Sequence, residues 1–215
     1  MAKITAFDLH VSEYDNWFVD NRFAFLSELE AIKSLMSQVD GVIEIGIGSG
    51  IFAEPLGIKE GVDPSGVMRK RAVQKGLKVL DAVAEKLPYA DASINGAIMI
   101  TSVCFVDDIY QALKEAYRVL VKNGFLILGF VDKDSPVGKE YLIHKEESMF
   151  YKEAAFFGAE ELYDILLQTG FTVKETQQTI FGKVGEVKEI QAFIKGFGEG
   201  SFVVIKAQKE NGRSI

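Results

Sequence analysis

The chain has 215 residues, of which 48% are hydrophobic and 26% are charged, and its formal net charge is −7. These proportions are typical of a globular protein with a sizeable core, and they exclude a disordered chain. The negative charge argues against a protein that binds nucleic acid or an anionic membrane, since both polyanions attract a basic surface. Cys104 is the single cysteine, which excludes an intrachain disulfide and a cysteine-built zinc site. We expect no metal.

The sequence is predicted to form one domain. A length of 215 residues fits a single α/β domain, and residues 1–215 contain no repeat or low-complexity linker. The N-terminal residues lack the pattern of an export signal, and the longest apolar stretches are too short to cross a bilayer. We therefore expect a cytoplasmic protein that does not bind membranes.

Strand and helix signals alternate along the first two thirds of the chain. Residues 14–18 are predicted to form a helical turn, and apolar residues recur at helical spacing over residues 21–38. The predicted strands that follow are residues 42–45, 58–62, 77–80, 94–100 and 125–131. Pro64 and Ser65 favour a helix start after the second strand, and Asp107 or Asp108 is expected to cap a helix that runs to Val121. This alternation predicts a parallel sheet with helices on both faces.

The pattern changes after the fifth strand. Residues 132–157 are polar and aromatic without a strand signal, which indicates a lid-like insertion, just as residues 1–40 indicate an N-terminal helical arm. A helix is predicted over residues 159–168, and residues 171–181 and 201–207 read as an antiparallel pair of strands. The fold class is therefore α/β, with a doubly wound, mostly parallel sheet of seven strands and an antiparallel edge strand.

Three glycines, Gly46, Gly48 and Gly50, directly follow the first predicted strand. Residues without a Cβ let the chain turn tightly and let a ligand approach the backbone. A dinucleotide site would use Gly-x-Gly-x-x-Gly, but the position of its third glycine is held here by Ile51. A turn that binds nothing is the third interpretation of this loop.

The glycine spacing and Glu44 favour S-adenosylmethionine over a dinucleotide, whereas Asp63 fits either cofactor. Glu44 lies two residues before Gly46, where its charge would repel a pyrophosphate but would stabilise the ammonium of an amino acid, directly or through water. Asp63 ends the second strand, where it is able to accept hydrogen bonds from ribose hydroxyls.

Several motifs in the same order resemble the class I S-adenosylmethionine-dependent methyltransferases of the type 11 (UbiE-like) group. The matching stretches are Glu44-x-Gly46-x-Gly48-x-Gly50, Gly61-Val62-Asp63-Pro64-Ser65, Ala84-Glu85-Lys86-Leu87-Pro88-Tyr89, residues 112–120, and the aromatic arm Tyr14-Asp15-x-Trp17-Phe18. The similarity spans about residues 14–131 and implies the Rossmann-like methyltransferase fold.

The resemblance also implies roles for individual residues. Glu44 and the backbone at Gly46 and Gly48 would hold the methionine portion, and Asp63 would hold the ribose. The remaining cofactor-binding residues would be Pro64 beside the adenine, Ala84 at the adenine edge with Glu85 nearby, Thr101 at the methionine portion, and Tyr14 closing over the cofactor. Val83 departs from the family pattern, in which an aspartate accepts from the adenine amino group.

Few residues are candidates for acid–base chemistry. Methyl transfer from a sulfonium needs a general base only when the acceptor must lose a proton. His10 and His144 are the two histidines, and each is either a base or a surface or packing residue. Aromatic residues such as Trp17, Tyr141 and Tyr151 are expected to roof a pocket or to pack a lid.

The predicted function is methyl transfer from S-adenosylmethionine to a small-molecule acceptor. The alternatives are a cofactor-binding protein without transferase activity and an NAD-dependent reductase. Ile51 and the lack of a Tyr-x-x-x-Lys pair disfavour the reductase.

Overall fold

The computed structural model describes residues 5–37 and 39–210. Its helices are α1 (Thr5–Leu9), α2 (Val11–Asp20), α3 (Arg22–Leu35), α4 (Ala53–Leu56), α5 (Gly66–Gln74), α6 (Ile109–Val119), α7 (Pro136–Ile143) and α8 (Ala159–Gln168). Its strands are β1 (Val42–Ile45), β2 (Glu60–Val62), β3 (Lys78–Leu80), β4 (Ile94–Ile100), β5 (Leu120–Val131), β6 (Phe171–Thr179), β7 (Ile194–Lys195) and β8 (Phe202–Lys209). The predicted α/β fold with a mostly parallel sheet is confirmed.

The strands form one sheet in the order β3-β2-β1-β4-β5-β8-β6-β7. Strands β1 to β5 run parallel, and β8 inserts antiparallel between β5 and β6. The sheet has eight strands where seven were predicted. The additional strand, β7, has two residues and pairs with β6 at Gln177 and Gln178. It lies in the glycine-containing segment 182–200. This segment lacks the alternation of apolar and polar residues that would indicate a strand.

Alternate residues of the central strands enter the two sides of a continuous core. Ala97 and Met99 of β4 pack with the apolar faces of α6 and α8. Ile98 and Ile100 of the same strand pack on the opposite face with α3. Because successive side chains of a strand point to opposite faces, this burial requires helices on both sides. Asp108 caps α6 by accepting a hydrogen bond from the Gln111 N–H, as predicted, but α6 ends at Val119 rather than Val121.

Helices α1 and α2 are joined to the carboxyl ends of the first two strands by side-chain hydrogen bonds. Asp15 accepts hydrogen bonds from the Ser49 hydroxyl at 2.7 Å and from the Arg71 guanidinium at 2.8 Å. Asp8 accepts from the Ser65 hydroxyl at 2.5 Å. The predicted N-terminal arm therefore consists of helices that lie over the glycine loop and α5. Residues 1–4 and 38 of this arm lie outside the described residues.

The segment predicted as a lid contains α7 and a cluster of aromatic rings. The Tyr141 and Tyr151 rings stack with centroids 5.0 Å apart. Phe150 packs against Phe7 of α1, with ring centroids 5.5 Å apart. The N-terminal helices and the segment after β5 therefore meet above the sheet. Within residues 5–37 and 39–210, none of the helices is both long and apolar enough to span a bilayer.

Candidate active site

A cavity of about 220 Å³ lies at the carboxyl ends of β1, β2 and β4, beneath the N-terminal helices and the aromatic cluster. Open α/β sheets bind ligands at this edge, where neighbouring connections diverge. Eight of the nine residues that the sequence assigned to the cofactor line this cavity: Tyr14, Gly46, Gly48, Asp63, Pro64, Ala84, Glu85 and Thr101. The ninth, Glu44, does not line it.

The glycine loop forms one wall of the cavity. Gly46 and Gly48 have φ angles of +76° and +55°, which residues with a Cβ rarely adopt. A Cβ at Gly46 would lie 2.6 Å from the Cβ of Ser102. Both positions therefore need glycine for its backbone conformation, and Gly46 also needs it because a Cβ would clash with Ser102. The loop presents bare backbone to whatever occupies the cavity.

Asp63 accepts two backbone hydrogen bonds at the end of β2. Its Oδ2 accepts from the Gly48 N–H and its Oδ1 from the Ser65 N–H, both at 2.8 Å. The side chain is 7% exposed, and burial raises the pKa of the carboxyl while these two hydrogen bonds lower it. A carboxylate has about four lone-pair positions, so each oxygen is able to accept one further hydrogen bond from a ligand.

The carboxyl of Glu44 lies outside the cavity lining, with 1% exposure. The backbone N–H of Ala53, at the start of α4, hydrogen-bonds this carboxyl, while its Oε2 is buried without a hydrogen-bond partner among the described residues. Burial, together with the charge of Asp63, raises the pKa of Glu44 well above its usual range. The predicted contact between Glu44 and a ligand therefore stays a prediction, and the position of Glu44 outside the cavity lining does not favour it.

The segment after β3 and the turn before α6 form the opposite wall. Glu85 Oε1 accepts hydrogen bonds from the backbone N–H groups of Asp107 at 2.7 Å and Asp108 at 3.2 Å. Ala84 is buried, and its neighbour Val83 lines the cavity as an apolar surface. This wall therefore combines backbone groups with apolar side chains, which suits a flat heterocyclic ring.

Thr101 directly follows β4 and has a left-handed conformation, with a φ angle of +51°. Its backbone N–H donates to the Gly129 carbonyl at 2.7 Å, which holds the residue in place. Such a conformation is costly for a residue with a branched Cβ and is concentrated at functional sites. The turn directs the chain away from the sheet at the floor of the cavity.

Comparison with known proteins identifies the family. Residues 43–128 match the family model described as a methyltransferase domain. A solved S-adenosylmethionine-dependent methyltransferase of Thermotoga maritima, described as a possible histamine N-methyltransferase, is 47% identical. The alignment covers 97% of this chain and 100% of that one, with a TM-score of 0.94. This chain belongs to the S-adenosylmethionine-dependent methyltransferases.

Two further relatives are similar to this chain. An uncharacterized protein of Methanocaldococcus jannaschii is 39% identical over 96% of this chain and 100% of its own length. The ubiquinone/menaquinone biosynthesis C-methyltransferase UbiE of Brucella anthropi is 43% identical over 77 residues, which are 34% of this chain and 29% of that protein. The predicted type 11 group is therefore confirmed.

The methyltransferase uses S-adenosylmethionine as its cofactor, and the cavity fits this molecule. The bare backbone at Gly46 and Gly48 and the free lone pairs of Asp63 suit an amino acid joined to a nucleoside. The family assignment selects a methyltransferase over the reductase and over the binding protein without transferase activity. Among the described residues, no cluster of three or more His, Cys, Asp or Glu side chains is arranged to hold a metal ion.

The two candidate catalytic histidines lie outside the cavity lining. His10 is one-third exposed, and its Nδ1 lies 3.7 Å from a carboxylate oxygen of Glu13. His144 is 62% exposed, and its Nδ1 lies 3.6 Å from an oxygen of Glu147. Both positions favour the interpretation of surface histidines over that of a general base.

Substitution of either histidine is therefore expected to leave catalysis intact. His10→Ala and His144→Ala should each retain kcat within about twofold of the parent enzyme, because neither ring reaches the cavity. Initial rates measured with labelled S-adenosylmethionine over a range of pH would check this. A loss of tenfold or more with an unchanged melting temperature would restore that histidine as a candidate base.

Sequence reasoning missed Glu28, which lines the cavity from α3 and is 6% exposed. Burial raises the pKa of its carboxyl to about 8. A signal was present, because Ala24, Glu28, Ala31 and Leu35 share one face of the helix and the other three are apolar. A single charged residue within an apolar stripe marks a position that packing alone does not explain.

Proposed function

We propose that this enzyme methylates a small molecule, which binds in the same cavity as the cofactor and accepts the methyl group by in-line displacement. The observation that carries the proposal is the aromatic cover over part of the cavity. Beyond the residues assigned to the cofactor, the cavity continues beneath Tyr141, Phe150 and Tyr151. A concave space that aromatic rings cover on one side favours a small acceptor over a polymer, which would need an open groove.

We propose cofactor-binding roles that the family resemblance implies and that the positions of the residues at the cavity support. The backbone of Gly46, Gly48 and Thr101 would contact the methionine portion, and Asp63 would accept hydrogen bonds from the ribose. Pro64, Ala84 and Glu85 would surround the adenine, and Tyr14 would close over the bound molecule. Glu44 would act indirectly, by binding the Ala53 N–H and so fixing the loop.

The cofactor supplies an electrophilic methyl group on a sulfonium, whose leaving thioether needs no proton. The residues of this chain therefore have two tasks, to align the acceptor with that methyl group and to exclude water. The aromatic side chains of α1, α2 and residues 141–151 cover the cavity and support the second task.

Binding and transfer assays test this proposal. We expect calorimetry to detect S-adenosylmethionine and its demethylated product in the micromolar range and to detect no NAD. Incubation with labelled cofactor and a panel of small amines, phenols and carboxylates is expected to label at least one acceptor. The description of the Thermotoga maritima relative places histamine in the amine group of this panel. Labelling of only protein or nucleic acid would contradict a small-molecule acceptor.

A further inference from the structure

Glu28 is a buried carboxyl group that lines the cavity and forms no hydrogen bond with the described residues. Its side chain is 6% exposed and lines the cavity, so its carboxyl group faces whatever occupies the cavity rather than the outer surface. Burying a carboxyl group without a partner is unfavourable, and an apolar residue of similar size would be more stable there. The position therefore favours a ligand group that supplies the missing partner.

Glu28 lines the same cavity as Tyr14 and Asp63 but comes from α3, which contributes none of the residues assigned to the cofactor. Burial raises the pKa of the Tyr14 hydroxyl, and the charges of Glu44, Asp63, Asp15 and Glu28 raise it further. Glu28 is therefore a carboxyl group of the cavity lining that the cofactor assignment leaves unused.

Three tyrosines line the cavity together with Glu28: Tyr14 from α2, Tyr141 from α7 and Tyr151 from the segment after α7. Burial raises the pKa of each tyrosine hydroxyl, and the charge of Glu28 adds to each increase. Tyr141 and Tyr151 are stacked on one another, so they offer ring faces as well as hydroxyl groups. Aromatic faces beside a carboxylate are typical of sites for organic cations.

The charge of the cavity lining also favours a cationic ligand. Every charged side chain among the described lining residues is acidic: Glu13, Glu28, Asp63, Glu85 and Asp107. Asp63 and Glu85 accept backbone hydrogen bonds within the protein, and Glu13 is exposed at the rim. Glu28 is the buried carboxyl group of this set that has no hydrogen-bond partner among the described residues. No lysine, arginine or histidine of the described lining would bind an anionic acceptor.

We propose that Glu28 binds the nitrogen of the methyl acceptor, and that this acceptor is a small organic amine enclosed by Tyr14, Tyr141 and Tyr151. This inference rests on the proposed function, since it names the acceptor class of the same cavity. It adds a substrate-binding residue that the sequence motifs do not contain.

The proposal gives a balanced reaction. On binding, the ammonium of the amine pairs with the Glu28 carboxylate, and a carboxyl proton leaves to solvent. Glu28 then takes one proton from the ammonium, which frees the lone pair of the nitrogen. That lone pair forms the N–C bond while the C–S bond breaks and its electron pair goes to sulfur. The methylated ammonium leaves, and Glu28 is again a neutral carboxyl group.

The raised pKa of Glu28, about 8, suits this proton transfer. An alkylammonium such as that of lysine titrates near 10.4, so a carboxyl at about 8 takes its proton far more readily than an exposed carboxyl group would. At pH 7 the empty site is mostly protonated, and binding of an ammonium is expected to release close to one proton.

The test compares amine binding by the parent enzyme, Glu28→Gln and the control Glu13→Gln, which removes a carboxylate from the exposed rim of the same cavity. Histamine, phenethylamine and butylamine are titrated by calorimetry in the presence of the demethylated cofactor, with 2-phenylethanol as the neutral counterpart. We expect at least one amine to bind, and Glu28→Gln to weaken that binding at least tenfold while Glu13→Gln changes it by less than twofold. Repeating the titration in buffers of different ionisation enthalpy should detect proton release for the parent enzyme and none for Glu28→Gln.

Cofactor binding separates this inference from the proposed function. Glu28→Gln is expected to bind S-adenosylmethionine within twofold of the parent enzyme and to keep its melting temperature, because the substitution is nearly isosteric. Labelling of phenols or carboxylates without amines would overturn the role of Glu28 and leave the small-molecule function standing. Equal amine affinity of Glu28→Gln and the parent enzyme would also overturn it. If Glu28→Gln does not fold, Glu28→Leu replaces it in the titrations. Amine binding by folded Glu28→Leu with the parent affinity would likewise contradict the proposed role of Glu28.

Discussion

Replacing Asp63 with alanine is expected to weaken the binding of S-adenosylmethionine by about 1–3 kcal/mol, which is about 5- to 150-fold in Kd. The substitution removes both acceptor oxygens at the end of β2. It also leaves the Gly48 N–H without the partner that it has at 2.8 Å, so the glycine loop loses one of its anchors. Calorimetric titration with the cofactor and with its demethylated product measures the effect. Both ligands should be affected alike, because they share the ribose.

Asp81 supplies a matched control for this substitution. It follows β3 directly, as Asp63 follows β2, but its side chain is exposed, pairs with Arg69 and lies outside the cavity lining. Asp81→Ala should therefore leave the affinity within about twofold. Asp63→Asn, which keeps one acceptor oxygen, should fall between the two. An Asp63→Ala variant that is folded and has the parent affinity would remove the proposed ribose contact.

The central part of the fold could be predicted because its strands are short, continuous apolar runs. The predicted bounds of residues 42–45 and 94–100 are those of β1 and β4. Strands buried on both faces need apolar residues at every position, and this requirement is visible in sequence. β7 could not be found in this way, since its two residues are exposed and pair with β6 only through the tertiary fold.

The cavity position of the residues assigned to the cofactor could be predicted from the sequence, whereas that of Glu28, which we assign to the acceptor, could not. Apart from Tyr14 of α2, the residues assigned to the cofactor lie in or within five residues after a strand end, so the parallel topology brings them to one edge of the sheet. Their roles stay predictions, but their convergence on one cavity follows from sequence order. Glu28, by contrast, reaches the cavity from the middle of α3. Its charge within an apolar helix face is visible in the sequence, but its place at the cavity depends on how that helix packs.

Glu44 illustrates how a strand divides a motif between two faces. Its place two residues before Gly46 predicts a partner for an ammonium group, directly or through water, while side chains of a strand alternate between faces. Ile45 and Gly46 line the cavity, whereas Glu44 is directed to the start of α4. A residue such as Glu44 is therefore able to support ligand binding indirectly, by holding the backbone of the loop that contacts the ligand.

Replacing Gly46 with alanine is expected to damage both stability and cofactor binding. The left-handed φ angle of +76° costs a residue with a Cβ about 1–2 kcal/mol. The added Cβ would also lie 2.6 Å from the Cβ of Ser102, whose hydroxyl donates to the Ile45 carbonyl at 2.9 Å. Because Ser102 is held by that bond, relief of the clash requires a shift of the backbone. Such overpacking adds about 1–3 kcal/mol.

Gly57 separates the two causes. It has a nearly identical φ angle, +74°, but a Cβ there would meet no atom within 4 Å. Gly57→Ala should therefore lose only the conformational part of the free energy of unfolding and should keep the parent affinity for S-adenosylmethionine. Gly46→Ala should unfold at a lower denaturant concentration than Gly57→Ala and should bind the cofactor at least tenfold more weakly than the parent, since the displaced loop forms a wall of the cavity. Equal losses of stability in the two variants, with cofactor affinity retained in both, would show that the approach of Gly46 to Ser102 does not shape the site.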